Sequence, residues 1–253
     1  MAGQVLGIIH FEFGLASEPE PVSSLDLYQP SSVRYEFDSK VAIREPVDGP
    51  MPQQNYSMSF TRGTLFLHES LTMLELQPRF NDWNQLRNHV IEGNLLQART
   101  LRSLQDTCGE VISRVKHLTS GERAWILEAS GREQAYLLWV AICRRYPFIA
   151  EFATEVLRER FLNLHYEIST DDYEIFFNRK AEWHSELDKL TNSTRQKLRQ
   201  ILFKTMREAG LLNDDLTIIP VILSADFAKL LRSHPHRNDT ALFPVFDSDL
   251  HVS

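Results

Sequence analysis

Helical spacing of the apolar residues is the feature that most restricts how this chain can fold. From about residue 58 onward these residues recur three and four positions apart, as Leu67, Leu71 and Leu74 do. Such spacing places them on one helix face, which must then pack against other helices. Strand-like runs are few and short, namely "LHYEI", "TIIPVIL" and "ALFPVF". Since no repeat of solenoid length is present, the pattern predicts an all-α protein, a compact helical bundle.

Local signals mark where several of these helices begin and end. Three pairs combine a hydroxyl residue with an acid three positions later, the pattern of a capping box. These pairs are Thr119 with Glu122, Ser130 with Glu133, and the weaker Ser169 with Asp172. Other predicted boundaries are an N-cap at Asp82, a helix stop at Gly93, and a first-turn proline at Pro147 that begins one helix over "FIAEFATEVLRERFL".

Composition divides the chain into three predicted parts. Residues 1–55 hold six of the eleven prolines and eight acids against three bases, which is −5 of the total charge of −7. Because proline removes backbone donors and restricts its neighbours, we expect a mostly disordered, acidic extension there. A helical N-terminal lobe over 56–120 and a helical C-terminal lobe over 121–253 are predicted to follow and to meet near Thr119.

Features of secreted or membrane proteins are missing from the sequence. Cys108 and Cys143 are the only cysteines and lie far apart in apolar or helix-like runs, so a disulfide framework is not expected. No apolar run approaches the roughly 18 residues that a membrane helix needs. The N-terminus lacks the basic residues and cleavage site of a secretory signal. We therefore expect a cytoplasmic monomer without a membrane segment.

No motif of a catalytic, metal or nucleotide-hydrolysing site occurs. The sequence has no HExxH, no GxSxG and no glycine-rich phosphate loop. His184 with Glu186, and the "HES" of 68–70, are interpreted as helix-end or surface residues, and the "HPH" of 234–236 as a polar loop. We expect no enzyme activity, no cofactor and no bound metal.

One predicted helix concentrates positive charge in this acidic chain. Its N-cap is Thr191, Asn192 or Ser193, and Gly210 ends it. The helix carries a single acid, Glu208, and five bases: Arg195, Lys197, Arg199, Lys204 and Arg207. At about 100° per residue, the core face consists of Leu198, Ile201, Leu202, Met206 and Ala209.

The opposite arc of this helix is basic and rich in amides. It contains Gln196, Lys197, Gln200, Lys204 and Arg207, with Arg199 at its border, Phe203 interrupting it and Arg195 over the apolar flank. Five bases against one acid differ from the mixed charges of an ordinary solvated face, although good helix formers on such a face remain the plainer interpretation. The five bases are therefore the predicted contacts to the phosphates of double-stranded DNA, without sequence-specific readout.

Two alternatives stay open at this level. In the first, the phosphates are bound by basic residues on or just before another predicted helix, namely Arg99, Arg102, Arg114 and Lys116. Alternatively, the same helix, or the region of Trp183 and Phe177, would dock a partner protein, making the chain an adaptor without nucleic-acid contact.

Long blocks of the sequence resemble the BrxA family, a core component of the bacteriophage-exclusion (BREX) systems of bacteria and archaea. In order from about residue 56 to about 250, these blocks are "YSMSFTRGTLFLHES", "DWNQLRNHVIEGNLLQARTLRS", "QAYLLWVAICRRYPFIAEFATEVLRERFL", "FFNRKAEWHSELDKLTNSTRQKLRQILFKTMREAGLL" and "LFPVFDSDL". Residues 1–55 lie outside the resemblance.

This resemblance implies an all-helical protein, partly NusB-like, with no known enzymatic activity and able to bind DNA in defence against phage. It also implies other BREX components as partners, namely a methyltransferase, a large ATPase and a phosphatase-like protein, with a protease-like or AAA+ component encoded beside them. The family offers no catalytic residues to place on this sequence. The five basic positions therefore rest on charge placement alone.

Overall fold

Helices account for most of the chain that the structure describes. This computed structural model describes residues 55–61, 63–233, 238–246 and 248. The helices are α1 (Leu67–Leu76), α2 (Trp83–Glu92), α3 (Leu101–Val115), α4 (Ser120–Glu128), α5 (Gly131–Arg145), α6 (Pro147–Phe152), α7 (Glu159–Leu162), α8 (Thr170–Ala181), α9 (Ser185–Asp188), α10 (Asn192–Glu208) and α11 (Ala225–Arg232). Short 3₁₀ turns cover Gln77–Arg79 and Asp239–Leu242.

The fold class agrees with the all-α prediction. The strand-like runs form only two isolated bridges within the described residues, pairing Glu167 with Thr217 and Leu212 with Ile218. All three predicted capping boxes are present, at the starts of α4, α5 and α8. They form because each box satisfies the free backbone N–H groups of a first turn by local hydrogen bonds alone.

Other predicted boundaries are confirmed with differences in detail. The Asp82 side chain accepts hydrogen bonds from two backbone N–H groups at the start of α2. That helix ends at Glu92, and Gly93 follows with right-handed backbone geometry. Pro147 begins α6, but a π-helical segment, Ala153–Arg158, interrupts the predicted continuous helix. Within it, the Arg158 guanidinium donates to the carbonyl of Val245 at 2.9 Å, a contact that helical periodicity does not reveal.

Helix α5 lies at the centre of the core. Every residue from Ala135 to Cys143 is buried, because α3, α4 and α6 all pack against this helix. A helix that is buried on all sides is expected to be apolar all round. The indole N–H of Trp139 donates to the carbonyl of Leu242 at 3.0 Å, so its one polar atom is satisfied.

A buried group of charges, which we name the Arg144 network, connects α4, α5 and the turn Asp239–Leu242. The Arg144 guanidinium lies 2.7 Å from a carboxylate oxygen of Glu122 and 2.7 Å from one of Asp239. All three side chains are almost completely buried. Charges withdrawn from water to this extent are tolerated only when they are paired, so the network ties three segments together.

The described residues belong to one compact unit, 50–253. Its buried apolar residues form one continuous core on both sides of Thr119. The predicted division into lobes over 56–120 and 121–253 stays a prediction. The predicted disordered extension lies outside the described residues except for Asn55, and the predicted polar loop at 234–236 lies outside them as well.

Candidate nucleic-acid interface

Helix α10 forms over nearly the range expected from the sequence. Thr191 is its N-cap, and its hydroxyl oxygen accepts a hydrogen bond from the backbone N–H of Thr194 at 3.2 Å. The end is a left-handed turn at Gly210, with φ of +72°. There the N–H of Leu211 donates to the carbonyl of Met206 at 2.9 Å, which is a Schellman motif.

The core face of α10 is confirmed. Leu198, Ile201, Leu202, Met206 and Ala209 are all buried. Phe203 is buried too, although the helical wheel places it on the exposed arc. Its ring packs 6.2 Å from that of Phe152 and 6.4 Å from that of Tyr173, measured between centroids. Rings from α6 and α8 therefore widen the buried face beyond what the apolar spacing indicates.

Two of the five predicted phosphate contacts, Arg195 and Arg199, are turned toward α8. Both guanidinium groups form ion pairs with the Glu174 carboxylate, that of Arg199 at 2.6 Å. Arg195 also lies over the Phe177 ring, 4.1 Å from its centroid, and donates to the Asn178 side chain at 2.8 Å. These contacts hold α10 against α8, so both arginines are engaged in contacts within the protein.

The other three predicted contacts are more open to solvent. Lys197 is exposed and has no ion pair among the described residues. Lys204 is 58% exposed, with its ammonium nitrogen 3.7 Å from Glu208. Arg207 is half-buried and lies 4.0 Å from the Asp214 carboxylate. We name the exposed arc the α10 arc, and it consists of Asn192, Ser193, Gln196, Lys197, Gln200, Lys204 and a single acid, Glu208.

The alternative basic set is not one surface. Arg99, Arg102 and Lys116 are exposed, but Arg114 is buried. Its guanidinium lies 2.7 Å from the Glu110 carboxylate and donates to the carbonyl of Thr64. Arg114 is therefore not open to a phosphate, because the segment before α1 covers this part of α3.

The region proposed to dock a partner protein also combines an exposed residue with a buried one. Trp183, two residues beyond the end of α8, is 70% exposed, whereas Phe177 is buried in the core. His184, interpreted from the sequence as a helix-end or surface residue, directly precedes α9 but is buried. Its ring stacks on Tyr56, with the centroids 3.8 Å apart, so the chain segment entering α1 covers it.

Neither a metal cluster nor a membrane-spanning helix is found in the described ranges. There, no three or more histidine, cysteine or acidic side chains are placed to hold a metal ion. None of the described helices has both the length and the apolar character needed to cross a membrane.

Comparison with known proteins identifies the family. A model of the BrxA family matches residues 54–235, which is most of the chain. The chain belongs to the BrxA family. This membership places it among the proteins of the BREX phage-defence systems.

Two curated relatives of this BrxA-family chain carry the same name, BREX protein BrxA. The one from Escherichia coli O9:H4 (strain HS) is 25% identical over 148 residues, which cover 58% of this chain and 70% of the relative. The one from Bacillus cereus (strain H3081.97) is 23% identical over 154 residues, covering 61% and 76% respectively. The identity is low, but the alignments cover most of both relatives.

A solved structure shares the fold. It is the crystal structure of an uncharacterized protein from Magnetospirillum magneticum, with a TM-score of 0.66 and 17% identity to the BrxA-family chain. The match covers 75% of this chain and 98% of that one. At this identity the likeness concerns the fold alone, and the expected likeness to NusB stays a prediction.

Proposed function

We propose that this BrxA-family chain is a non-enzymatic DNA-binding component of a BREX phage-defence system, and that it holds duplex DNA by its phosphates. The observation that carries the proposal is the α10 arc. Lysine and glutamine side chains lie together there in solvent, while the apolar side chains of the same helix are buried. A protein with an acidic total charge can attract phosphates only through such a local surface.

Spacing within the α10 arc suits contact with a phosphate backbone. Lys197 and Lys204 are seven residues apart, so they lie on the same side of α10, about 10 Å apart along its axis. Each ammonium group can neutralise one phosphate and release a counterion. Gln196 and Gln200 lie between or beside them and can donate to phosphate oxygens.

The five predicted positions take different parts in this proposal. Lys197 and Lys204 make the main phosphate contacts, and Arg207 contributes from the edge of the surface. Arg195 and Arg199 support the surface by holding α10 against Glu174 of α8. A protein that binds in this way recognises all duplex sequences alike, because phosphates carry no base information.

A second candidate function is an adaptor for another BREX component. It is favoured by two large apolar side chains, Ile175 in the middle of α8 and Trp183 just after that helix, which are 66% and 70% exposed. Exposed aromatic side chains are frequent anchors of protein interfaces. Because this surface involves α8 and the α10 arc does not, variants can separate the two functions.

The proposal predicts a specific change in the salt dependence of DNA binding. Affinity for a random-sequence duplex is measured across salt concentrations for the wild type and for the double variant Lys197→Glu with Lys204→Glu. The slope of log K against log salt should become shallower by about 1.8 in the double variant, because each lost phosphate contact removes roughly 0.9. Affinity should fall alike for all duplex sequences.

A matched control carries the same change of charge elsewhere. Arg132 and Lys229 are exposed and lie on α5 and α11, so the variant Arg132→Glu with Lys229→Glu should bind like the wild type. Unchanged binding by the α10 variant would reject the α10 arc and direct attention to Arg99 and Arg102. If the wild type itself does not bind, the adaptor is the better function.

A further inference from the structure

A cleft with a volume of about 580 Å³ opens beside the α10 arc. Its walls are the segment before α1, the first half of α3, and the side of α10 that carries Lys197 and Ile201. Clefts of roughly 300–1,000 Å³ are typical sites for small molecules. The cleft is therefore large enough for a ligand of that size.

The aromatic ring of Phe66 forms one wall, and the backbone of this residue is strained. Phe66 has left-handed backbone geometry, with φ of 54° and ψ of 45°, which is unusual for a bulky residue. Its ring lies against Gly63, where an added Cβ would come within 1.9 Å of the ring. The Arg114 guanidinium lies 5.4 Å from the ring centroid. Such strain persists only where surrounding contacts enforce it.

The floor of the cleft is a fixed hydrogen-bonded group. The Glu110 carboxylate accepts from the Arg114 guanidinium at 2.7 Å and from the Tyr146 hydroxyl at 2.6 Å. Burial and the bond to Glu110 raise the pKa of Tyr146, so its hydroxyl stays a donor. Since Arg114 also donates to the carbonyl of Thr64, the floor anchors the segment that carries Phe66. A site supported in this way is formed before any ligand arrives.

Charged and hydroxyl groups from separate elements face the cleft. Arg102 comes from α3 and is 84% exposed, while Lys197 comes from α10. Asp106 lies 4.0 Å from Arg102 and adds an acceptor. Hydroxyl groups complete the lining, from Thr61, Thr100, Ser103 and Thr107. The lining thus offers two cations, the carboxylates of Asp106 and Glu110, hydroxyl groups and an aromatic face.

We propose that this cleft binds a nucleoside monophosphate. The base packs against Phe66, the phosphate is held by Arg102 and Lys197, and the Asp106 carboxylate with the hydroxyl groups accepts from the sugar or the base. A bare phosphate would leave the aromatic wall without a role, whereas a nucleotide uses both the ring and the cations. The same chemistry is offered by a free nucleotide and by an unpaired nucleotide of a DNA strand.

This site is distinct from the proposed duplex-binding surface and shares only Lys197 with it.

The test uses isothermal titration calorimetry on the full chain, with deoxyadenosine monophosphate as the probe. The wild type should bind the probe, and Arg102→Glu should weaken binding at least about tenfold, because a charge-assisted contact to phosphate is replaced by repulsion. Ser103→Phe should abolish binding by filling the cleft from an exposed helix position.

Two further variants keep the test specific. Lys116→Glu makes the same kind of charge change at the far end of α3 and should leave affinity for the nucleotide unchanged. Lys204→Glu should weaken duplex binding yet retain the nucleotide, so that failure of either proposal can be seen separately. Thermal unfolding of each variant establishes that it is folded.

A single-stranded oligonucleotide distinguishes the two sources. Binding of the free nucleotide, lost in Ser103→Phe, supports a free ligand. Binding of the oligonucleotide alone, lost in the same variant, supports an unpaired nucleotide of a strand. The proposal is overturned if neither probe binds the wild type, or if binding survives both Arg102→Glu and Ser103→Phe.

Discussion

A single carboxylate, that of Glu174, determines what two of the basic residues can do. It pairs with both Arg195 and Arg199 across the contact between α8 and α10. Arg195 has further contacts with Asn178 and Phe177, whereas Arg199 has no other ion pair in the described part of the chain. Positive charge counted along a helix is therefore not the same as positive charge available to a ligand.

Replacing this carboxylate should raise DNA affinity while lowering stability. Glu174→Gln keeps the shape of the side chain but removes its charge, so Arg199 becomes available beside the proposed DNA surface. We expect duplex affinity at low salt to rise roughly two- to fivefold and the free energy of unfolding to fall by about 1 kcal/mol, since the pairs are partly exposed. A binding titration and a denaturant titration measure the two effects.

The matched control for this variant is Glu92→Gln, which removes the same charge at an exposed position of α2. It measures how much duplex affinity changes merely because the protein carries one negative charge fewer. If both variants change affinity equally, Glu174 does not restrain Arg199, and the proposed division of roles among the five bases is wrong.

At the scale of the element, α10 is defined by its two ends. The Thr191 hydroxyl satisfies a free N–H group at the start, and the Schellman motif at Gly210 satisfies carbonyl groups at the end. Between these ends the helix presents a buried face and the α10 arc. The proposed function depends on the helix as a rigid element, because the spacing of its lysines sets the spacing of the phosphate contacts.

Loss of the N-cap should destabilise the protein by a measurable amount. Thr191→Ala removes the hydroxyl acceptor and should lower the free energy of unfolding by about 1 kcal/mol. Denaturant unfolding monitored by circular dichroism gives the value. Thr191→Ser retains the acceptor oxygen and should restore most of the loss. Equal destabilisation by both variants would mean that the methyl group, and not the cap, matters.

At the scale of the whole molecule, the Arg144 network joins segments that are distant in sequence. Burial alone would raise the pKa of Glu122, but hydrogen bonds from Arg144 and Thr119, together with the charge of Arg144, lower it below its usual value of 4.5. A carboxyl group whose pKa is lowered by folding stabilises the folded state above its usual pKa. That stabilisation is lost as the pH falls through the lowered value.

Stability should therefore decline in acid because of Glu122. Between neutral pH and about 5 its contribution should stay constant, and it should decrease as the pH falls below 4.5. Glu122→Gln should cost about 3 kcal/mol at neutral pH, because Arg144 loses a buried charged partner. The same variant should show a weaker dependence of stability on pH in the acid range.

Denaturant unfolding from pH 7 to pH 3 tests this expectation. Glu128→Gln, at an exposed position on the same helix, is the control and should follow the wild type. If Glu122→Gln loses stability in acid as steeply as the wild type does, other carboxylates dominate the acid response.

Local features of this protein follow from its amino-acid sequence alone. Capping boxes at Thr119, Ser130 and Ser169 form from residues within one helical turn, so their pattern is sufficient to predict them. The core face of α10 follows from the spacing of Leu198, Ile201 and their neighbours. The family resemblance likewise lies in long, ordered blocks of residues, which need no knowledge of the fold to be recognised.

Which of the predicted groups are open to a ligand depends on packing between distant parts of the chain. Glu174 lies 25 residues before Arg199, and no sequence spacing relates the two. The burial of Phe203 depends on rings from other helices. The cleft is formed where Phe66, Arg102 and Lys197 meet from separate elements. Periodicity assigns residues to the face of one helix, whereas packing between distant segments determines which side chains are covered, paired or exposed.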